Sequence, residues 1–466
     1  MRLLLALILA ASLHGEVKNQ RRAAHPQIYA LTDLARSTPP EFAARGLLQL
    51  LDADAIPDRE WRLELASEVL TLAASARHPV RKRLAPGITA VDNRAMLWNV
   101  AYNQGLDALS LSIRAIDHIR RIDPIAARKA FAQLPRPAPS SPVCKDALLD
   151  DVSAWYAIAG RLNADPLPLI QSIQTHSEIA SAIDLIFQRR NSREELDTYA
   201  GAVGQQLRAL PQSERAFSAA LFEIPRKLKH LYTVLASQQR PTAALSDGWR
   251  AWMQSGFEAP ACQESRLAGP QQQARQDALD LFNQTLEPAL PFDLLKTTGE
   301  AVAANLEPFA DNEGTREQTG LFKSLLFGNN SRALSEAEKD TPEWREGMQK
   351  YIQSIEARTR SADESGIEYF YRQSQLWAGI LMASPAGPTR DRALERYIGF
   401  LLANAPHIDP LIWFSQVESM AGITRSLHGT EYPKVLNALR LTAHPVLQLY
   451  AELEAVYPTR PGLKVD

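Results

Sequence analysis

Apolar residues spaced by three and four positions recur along most of this 466-residue chain, and this spacing constrains its fold more than any other feature. Such spacing places apolar side chains on one face of a helix, as in the stripe of Trp61, Leu65, Val69 and Leu72. Sustained alternation of β-branched or aromatic residues, which is typical of strands, is nearly absent. The sequence therefore predicts an all-α fold of about 20 helices.

Most of the predicted helices begin with Ser, Thr or Asp, in several cases followed by proline. A side-chain oxygen at that position caps the first backbone N–H groups, and proline fits the first turn because it lacks an N–H. The pattern predicts helix starts near Asp58, Asp123-Pro124, Asp165-Pro166, Ser192, Ser213, Thr242, Thr341-Pro342, Thr389 and Asp409-Pro410. The segment Thr38-Pro39-Pro40-Glu41 also has the residues of a capping box.

Capped helices joined by short proline turns favour an irregular array of helical hairpins, α-solenoid-like and tetratricopeptide-like in geometry. Trp344, Gly347 and Tyr351 follow the spacing of the first helix of a tetratricopeptide repeat only loosely. No second segment repeats that pattern at a fixed period. We therefore expect a helical array without strict sequence repeats.

Residues 1–15 have the layout of a secretory signal peptide, in which Arg2 precedes an apolar run and small residues follow. Cleavage after Ser12 fits the small residues around it, and cleavage after Gly15 is nearly as plausible. The apolar run is shorter than the about 20 residues that a transmembrane helix needs. We expect a secreted or periplasmic protein with no transmembrane segment after signal removal. The alternative is an apolar N-terminal helix that stays in the fold.

A proline-rich segment is the clearest candidate boundary between domains. Residues 135–142 contain four prolines in eight positions, which makes a chain extended and stiff. We predict a linker at residues 135–143, between an N-terminal helical unit of residues 16–134 and a C-terminal unit of residues 144–466. The alternative is that the second unit is continuous with the first.

The two cysteines, Cys144 and Cys262, each stand two positions after a proline. An even number of cysteines in an oxidising compartment predicts a disulfide, and the alternative is two separate buried thiols. The cysteines are too far apart for a CxxC redox motif, and two thiols alone do not make a structural zinc site.

The charge balance argues against nucleic acid as a partner. The chain has 51 Lys and Arg against 53 Asp and Glu, so it produces no global field that attracts polyanions. Short basic clusters such as Arg81-Lys82-Arg83 are interpreted as solvated helix faces.

Sequence motifs for catalysis are not found. The chain has no nucleophile elbow, phosphate loop, dinucleotide fingerprint or zinc helix, so we predict no catalytic residue, no cofactor and no metal. We interpret His118 as part of an exposed helix flank. We interpret His176 with Glu178 as a helix-capping arrangement.

One carboxylate pair is a candidate for a catalytic site. Asp150 and Asp151 precede Trp155 on what we predict to be one helix, where Asp151 and Trp155 share a face. Two acids beside an aromatic ring suit a polysaccharide cleft, in which one donates a proton and the other acts as base or nucleophile. The alternative is that both acids are solvated and Trp155 belongs to the core.

Taken together, these patterns favour a binding or scaffold protein over an enzyme. Such a protein presents a concave helical surface to a peptide, protein or polymer partner in the envelope or outside the cell. The competing hypothesis is an α/α-toroid hydrolase or lyase that acts on polysaccharide. That enzyme needs two carboxylates about 5 to 10 Å apart in a central funnel. A third hypothesis is a structural component of a larger envelope assembly.

Overall fold

The computed structural model describes residues 20–86, 94–143, 146–210, 214–259, 269–286, 309, 322–323, 325–327, 334–339, 341–427 and 432–458. These residues are mostly helical, so the predicted all-α class is confirmed. The predicted signal peptide, Ser213 and both cysteines, Cys144 and Cys262, lie outside the described residues. Within them, none of the helices is long and apolar enough to cross a membrane.

The helices are, in chain order, α1 Pro26–Arg36, α2 Pro40–Asp52, α3 Arg59–Ala73, α4 Arg94–Tyr102, α5 Ala108–Ile122, α6 Pro124–Gln133, α7 Ser153–Arg161, α8 Pro166–Gln171, α9 His176–Phe187, α10 Arg193–Ala209, α11 Glu214–Ala220, α12 Ile224–Ser237, α13 Ala243–Glu258, α14 Gly269–Leu286, α15 Glu336–Lys339, α16 Pro342–Ala357, α17 Gly366–Ala383, α18 Pro388–Asn404, α19 Pro410–Leu427, α20 Tyr432–Arg440 and α21 Pro445–Val456. Two strands, β1 Arg81–Leu84 and β2 Leu148–Asp151, form an antiparallel pair.

Most of the predicted helix starts are confirmed. A side-chain oxygen accepts a backbone N–H of the first turn at Asp58, Asp123, Asp165, Ser192, Thr341 and Asp409. Thr242 precedes α13 without such a bond, and Thr389 is the second residue of α18 rather than its cap. Local capping chemistry thus fixes most boundaries.

The capping box predicted at Thr38-Pro39-Pro40-Glu41 is wrong. Helix α2 begins at Pro40, and its N-cap residue Pro39 makes no side-chain bond. The Thr38 hydroxyl instead donates to the carbonyl oxygen of Ala35 over 2.7 Å, at the end of α1. The hydroxyl therefore satisfies a C-terminal carbonyl of the preceding helix.

The strand pair is a departure from the sequence prediction. Arg81 stands opposite Asp151, and Lys82 stands opposite Asp150. The interpretation of Arg81-Lys82-Arg83 as a solvated helix face is wrong, because these basic side chains lie on a strand that faces acidic residues. Opposite charges on facing strands stabilise such a pair, and this partnership is invisible in either segment alone.

The larger of the two main hydrophobic cores contains residues of α1–α3, α5–α14 and α21. Trp249 and Trp252 of α13 are fully buried in it. The core includes helices on both sides of residues 135–143, and these residues belong to no helix or strand. The division into two units at this segment stays a prediction.

The smaller core consists of residues of α4 and α16–α21, with Phe42 of α2 and the residues Leu106, Phe309 and Ile408 outside the helices. Helix α4 lies early in the sequence, yet it packs against α19 near the end of the chain. Helices α2 and α21 contribute to both cores, and α21 contacts α1 and α2. The last described helix therefore packs against the first ones.

His118 is buried, so its interpretation as an exposed flank is wrong. Its Nε2 lies 2.7 Å from Oδ1 of Asp52, the last residue of α2. The charged neighbours Arg120 and Arg121 suggest an exposed surface, but His118 itself lies on the side of α5 that faces α2.

Candidate functional site

A pocket lies where the strand pair, the proline-rich segment and three helices meet. It contains about 440 Å³ of space not filled by atoms, part of it open to solvent. Its lining consists of Arg83, Ser140, Pro142, Leu149, Asp150, Thr175, His176, Ser177, Ala180, Ala216, Ala219, Ala220, Glu223 and Ile224. Much of that space is open solvent, so the enclosed part is smaller than a typical site for a drug-sized ligand.

Hydrogen bonds hold the proline-rich segment against the edge of this pocket. Arg136 donates to Glu178 Oε1 over 2.8 Å. The backbone N–H and the hydroxyl of Ser140 both donate to Asp150 Oδ2, over 2.8 and 2.7 Å. The prolines keep this segment extended, so Ser140 and Pro142 reach the lining.

Asp150 places a carboxylate in the pocket wall. Its Oδ2 accepts both bonds from Ser140, and its Oδ1 lies 3.6 Å from Nζ of Lys82 on the facing strand. The Asp150 side chain is only 11% exposed, so these partners replace most of the water that a free carboxylate would bind.

A second ion pair crosses the pocket from the strand pair to α12. The guanidinium of Arg83 donates to Glu223 Oε1 over 2.8 Å, and both side chains are partly exposed. The pocket therefore presents groups of both signs at its opening. Their partners are already matched, because Arg83 faces Glu223 and Lys82 faces Asp150.

The N-terminus of α9 forms another side of the pocket and carries its own carboxylate. Glu178 Oε2 accepts the backbone N–H groups of Gln174 and Thr175 over 2.8 and 3.0 Å, which confirms a capping role for this residue. Glu178 Oε1 accepts the Tyr156 hydroxyl over 2.9 Å. Burial and the charge of Glu178 raise the pKa of Tyr156, so its proton stays in this bond.

The three predicted site residues separate in the structure. Asp150 lines the pocket. Asp151 is buried beside Asp150. Burial raises the pKa of Asp151, but the charge of Arg81 and hydrogen bonds from Ser153 hold that pKa below its ordinary value. Trp155 is buried, and its ring centroid lies 4.5 Å from that of Phe131.

Asp151 and Trp155 do not share a helix face, so that part of the prediction is wrong. Strand β2 ends at Asp151 and α7 begins at Ser153, because the strand pairing with β1 takes both acids out of the helix. Sequence reasoning also missed Arg83, Ser140 and Glu223. No local motif marks these residues, which come together only through the strand pair and the packing of α12.

The pocket combines donors, acceptors and an apolar wall of alanines, so it suits a small polar ligand. No protein-family model, curated protein or solved structure matches this chain. Among the described residues, no group of three or more His, Cys, Asp or Glu side chains is placed to hold a metal ion. The chemistry of the pocket therefore carries the functional argument.

Proposed function

We propose that this protein is an exported binding protein, and that the pocket beside the strand pair holds its ligand. The partner of the whole protein in the envelope or outside the cell is a peptide, a protein or a polymer, and the pocket itself takes a small ligand or one terminus of that partner. The observation that carries this proposal is the pocket itself, in which Arg83, Asp150 and Glu223 stand beside a wall of alanine methyl groups. Charged groups beside an apolar wall can recognise a ligand of complementary charge.

We further propose that the helices form an array of hairpins whose two ends are joined. Consecutive helices pack against each other in several places, as α2 with α3, α5 with α6 and α17 with α18 do. This supports the solenoid-like arrangement. In a linear stack each repeat contacts only its neighbours, whereas α21 here contacts α1 and α2.

A direct test is ligand screening by thermal shift on the chain from residue 16, with peptides and soluble polysaccharides as probes. The variant Ser177→Tyr places a bulky ring in the pocket, and Ser246→Tyr places the same ring in the first turn of α13, away from the pocket. We expect at least one probe to raise the Tm of the native chain and of S246Y but not of S177Y. Shifts that S177Y leaves unchanged would overturn the pocket as the binding site.

The polysaccharide enzyme stays a second candidate because two carboxylates, Asp150 and Glu223, line one pocket. A general acid needs an environment that keeps its proton near neutral pH, and both acids here are ion-paired instead. An assay for new reducing ends separates the two candidates. We expect no release, whereas release that is lost in both D150N and E223Q would replace the binding proposal with a hydrolase.

The proposed export is tested by fractionation of the producing cell and by sequencing the mature N-terminus. We expect a mature chain that begins at Leu13 or at Glu16. In the same material we expect a peptide pair that joins Cys144 to Cys262 and disappears after reduction. A chain that retains Met1 in the cytoplasm would contradict export.

A further inference from the structure

We propose that the ligand of this pocket is a small zwitterion, an α-amino acid or a dipeptide. This inference rests on the proposed function, since it assigns a ligand class to the same pocket. Its basis is the combination of Arg83, Glu223 and Asp150 at one opening with a wall of alanine methyl groups.

The matched charge of the pocket disfavours ligands with a net charge. A bound anion would face Glu223 and Asp150, and a bound cation would face Arg83. A charge that enters a partly buried site without a partner is costly, because it loses its water. A zwitterion avoids this cost, since its carboxylate faces Arg83 and its ammonium faces a carboxylate.

The N-terminus of α9 adds to the case against an anion. Helix N-termini attract anions through their unpaired N–H groups. Here the negative charge of Glu178, whose carboxylate accepts the N–H groups of Gln174 and Thr175 just before the helix, already occupies this end of α9. The carboxylate of the ligand therefore belongs at Arg83 and not at the helix.

Hydroxyl groups complete the site for an ammonium group. Ser140 donates its hydroxyl proton to Asp150, so its Oγ keeps lone pairs that can accept from a donor. The Glu223 carboxylate is 41% exposed and has acceptor positions beyond its bond to Arg83. An ammonium group with three N–H donors matches such a set of acceptors.

The apolar wall receives the side chain of the ligand. Ala180 of α9 and Ala216, Ala219 and Ala220 of α11 present methyl groups, which leave room that larger residues would fill. The described lining includes no Trp, Tyr or Phe, so a ligand packs here against methyl groups rather than on a ring. An aliphatic side chain gains the most from such a wall.

Isothermal titration calorimetry of the full chain from residue 16 tests this ligand class. The zwitterionic probes are L-leucine and Leu-Leu. The controls are N-acetyl-L-leucine, which lacks the ammonium group, L-leucine amide, which lacks the carboxylate, and glucose, which is polar but uncharged. We expect one of the first two to bind and each blocked analogue to bind at least about tenfold more weakly. The affinities for leucine and for Leu-Leu then show whether the ligand is a free amino acid or a dipeptide.

The variant Glu223→Gln tests the orientation of the ligand. It removes the acceptor of the ammonium and releases Arg83, so we expect about tenfold weaker binding of the zwitterion and tighter binding of N-acetyl-L-leucine. The matched control is Glu68→Gln, which breaks a similarly exposed pair with Arg36 on α1 and α3 and should leave both affinities unchanged.

The outcomes separate the ligand class from the proposed function. If blocked leucines or glucose bind as tightly as the zwitterions, and S177Y abolishes this binding, the zwitterion is wrong and the binding function stands. If neither these probes nor the peptides and polysaccharides of the thermal-shift screen bind in a way that S177Y abolishes, both proposals are overturned.

Discussion

Two helix contacts in this molecule are held by opposite kinds of chemistry. Helices α10 and α13 meet at Gly204 and Gly248, where a Cβ atom on either residue would overlap the backbone of the other helix. Helix α2 meets α19 and α21 through apolar contacts such as Phe42 with Phe414, and also through charged and polar side chains, among them Arg45 with Glu418 and Gln49 with Glu454. The first contact depends on the close approach of two backbones, whereas the second adds buried charges to its apolar packing.

The polar contact, which we call the α2–α21 seam, is centred on Glu454. Its side chain is fully buried, and it accepts hydrogen bonds from Gln49 over 3.1 Å and from Tyr432 over 3.0 Å, with Arg425 as its ion-pair partner. Buried charges of this kind require all of their partners. The seam should therefore fail when one charge is lost, whereas the glycine contact should fail when one atom is added.

The largest effect is expected from Gly204→Ala. The new methyl group would overlap the carbonyl oxygen of Ala244, which is backbone and cannot turn aside. We expect a loss of about 3 kcal/mol in the free energy of unfolding, the upper range for overpacking, measured by urea denaturation.

The control for this variant lies one turn away on the same helix. A Cβ atom on Gly201 meets nothing within 4 Å, so Gly201→Ala should stabilise α10 by about 0.5 to 1 kcal/mol. Equal effects of the two substitutions would show that helix propensity, and not the close approach, decides the outcome.

The next effect is expected from Glu454→Gln, which keeps the shape of the seam and removes its charge. We expect a loss of about 2 kcal/mol, because Arg425 and Tyr432 lose a charged acceptor in a buried site. The control Glu452→Gln, on the same helix as Glu454, breaks a more exposed pair with Arg440 of α20 and should cost less than about 0.5 kcal/mol. Similar losses in both variants would mean that burial does not strengthen the seam.

The same contrast explains how much of the fold could be predicted. Helix starts such as Asp123 and Ser192 follow from a cap a few residues away, and the sequence contains that information locally. Arg81 and Asp151 stand 70 positions apart, so their pairing was not predictable from either segment. The charge of Glu454 gives no hint that Gln49 and Arg425 surround it.

The candidate site likewise contains one residue that the sequence pointed to and others that only the folded chain brings together. The sequence drew attention to Asp150 because two acids precede an aromatic residue, and Asp150 does line the pocket. The sequence predicted that both acids lie on a helix, but they lie at the end of β2, because strand pairing outweighs the local helical pattern. Arg83 and Glu223, 140 positions apart, become neighbours only in the folded chain.

A third prediction concerns pH at another contact between distant segments. Asp409 at the start of α19 faces His78 and Arg77, which precede β1. Burial raises the pKa of Asp409, but His78, whose Nε2 lies 3.5 Å from the carboxylate, the hydrogen bond from the Leu411 N–H and the charge of Arg77 hold that pKa below its ordinary value of 3.8. Folding therefore favours the ionised carboxylate.

The stabilisation from Asp409 is thus complete above pH 3.8 and is lost as the pH falls through the lowered pKa. We expect Asp409→Asn to lower the Tm at pH 5, and the difference from the native chain to shrink between about pH 5 and 2. The loss caused by G204A should stay constant over the same range, because no titrating group takes part in it. A constant D409N difference would show that the carboxylate charge contributes nothing.

The smallest effect is expected from Glu68→Gln on the surface. Arg36 contacts both carboxylate oxygens of Glu68, over 2.7 and 2.8 Å, so the geometry of this pair is as favourable as that of any buried one. The two side chains are 42% and 29% exposed, and water screens their attraction. We expect a loss of about 0.5 kcal/mol in the free energy of unfolding, which disappears near 1 M salt, because the screening length there is only about 3 Å.

The loss in E454Q should persist in that salt, since ions do not reach a fully buried carboxylate. If salt removes both losses, the seam is open to solvent and its charges act as surface charges; if it removes only the first, burial rather than pair geometry gives the seam its strength.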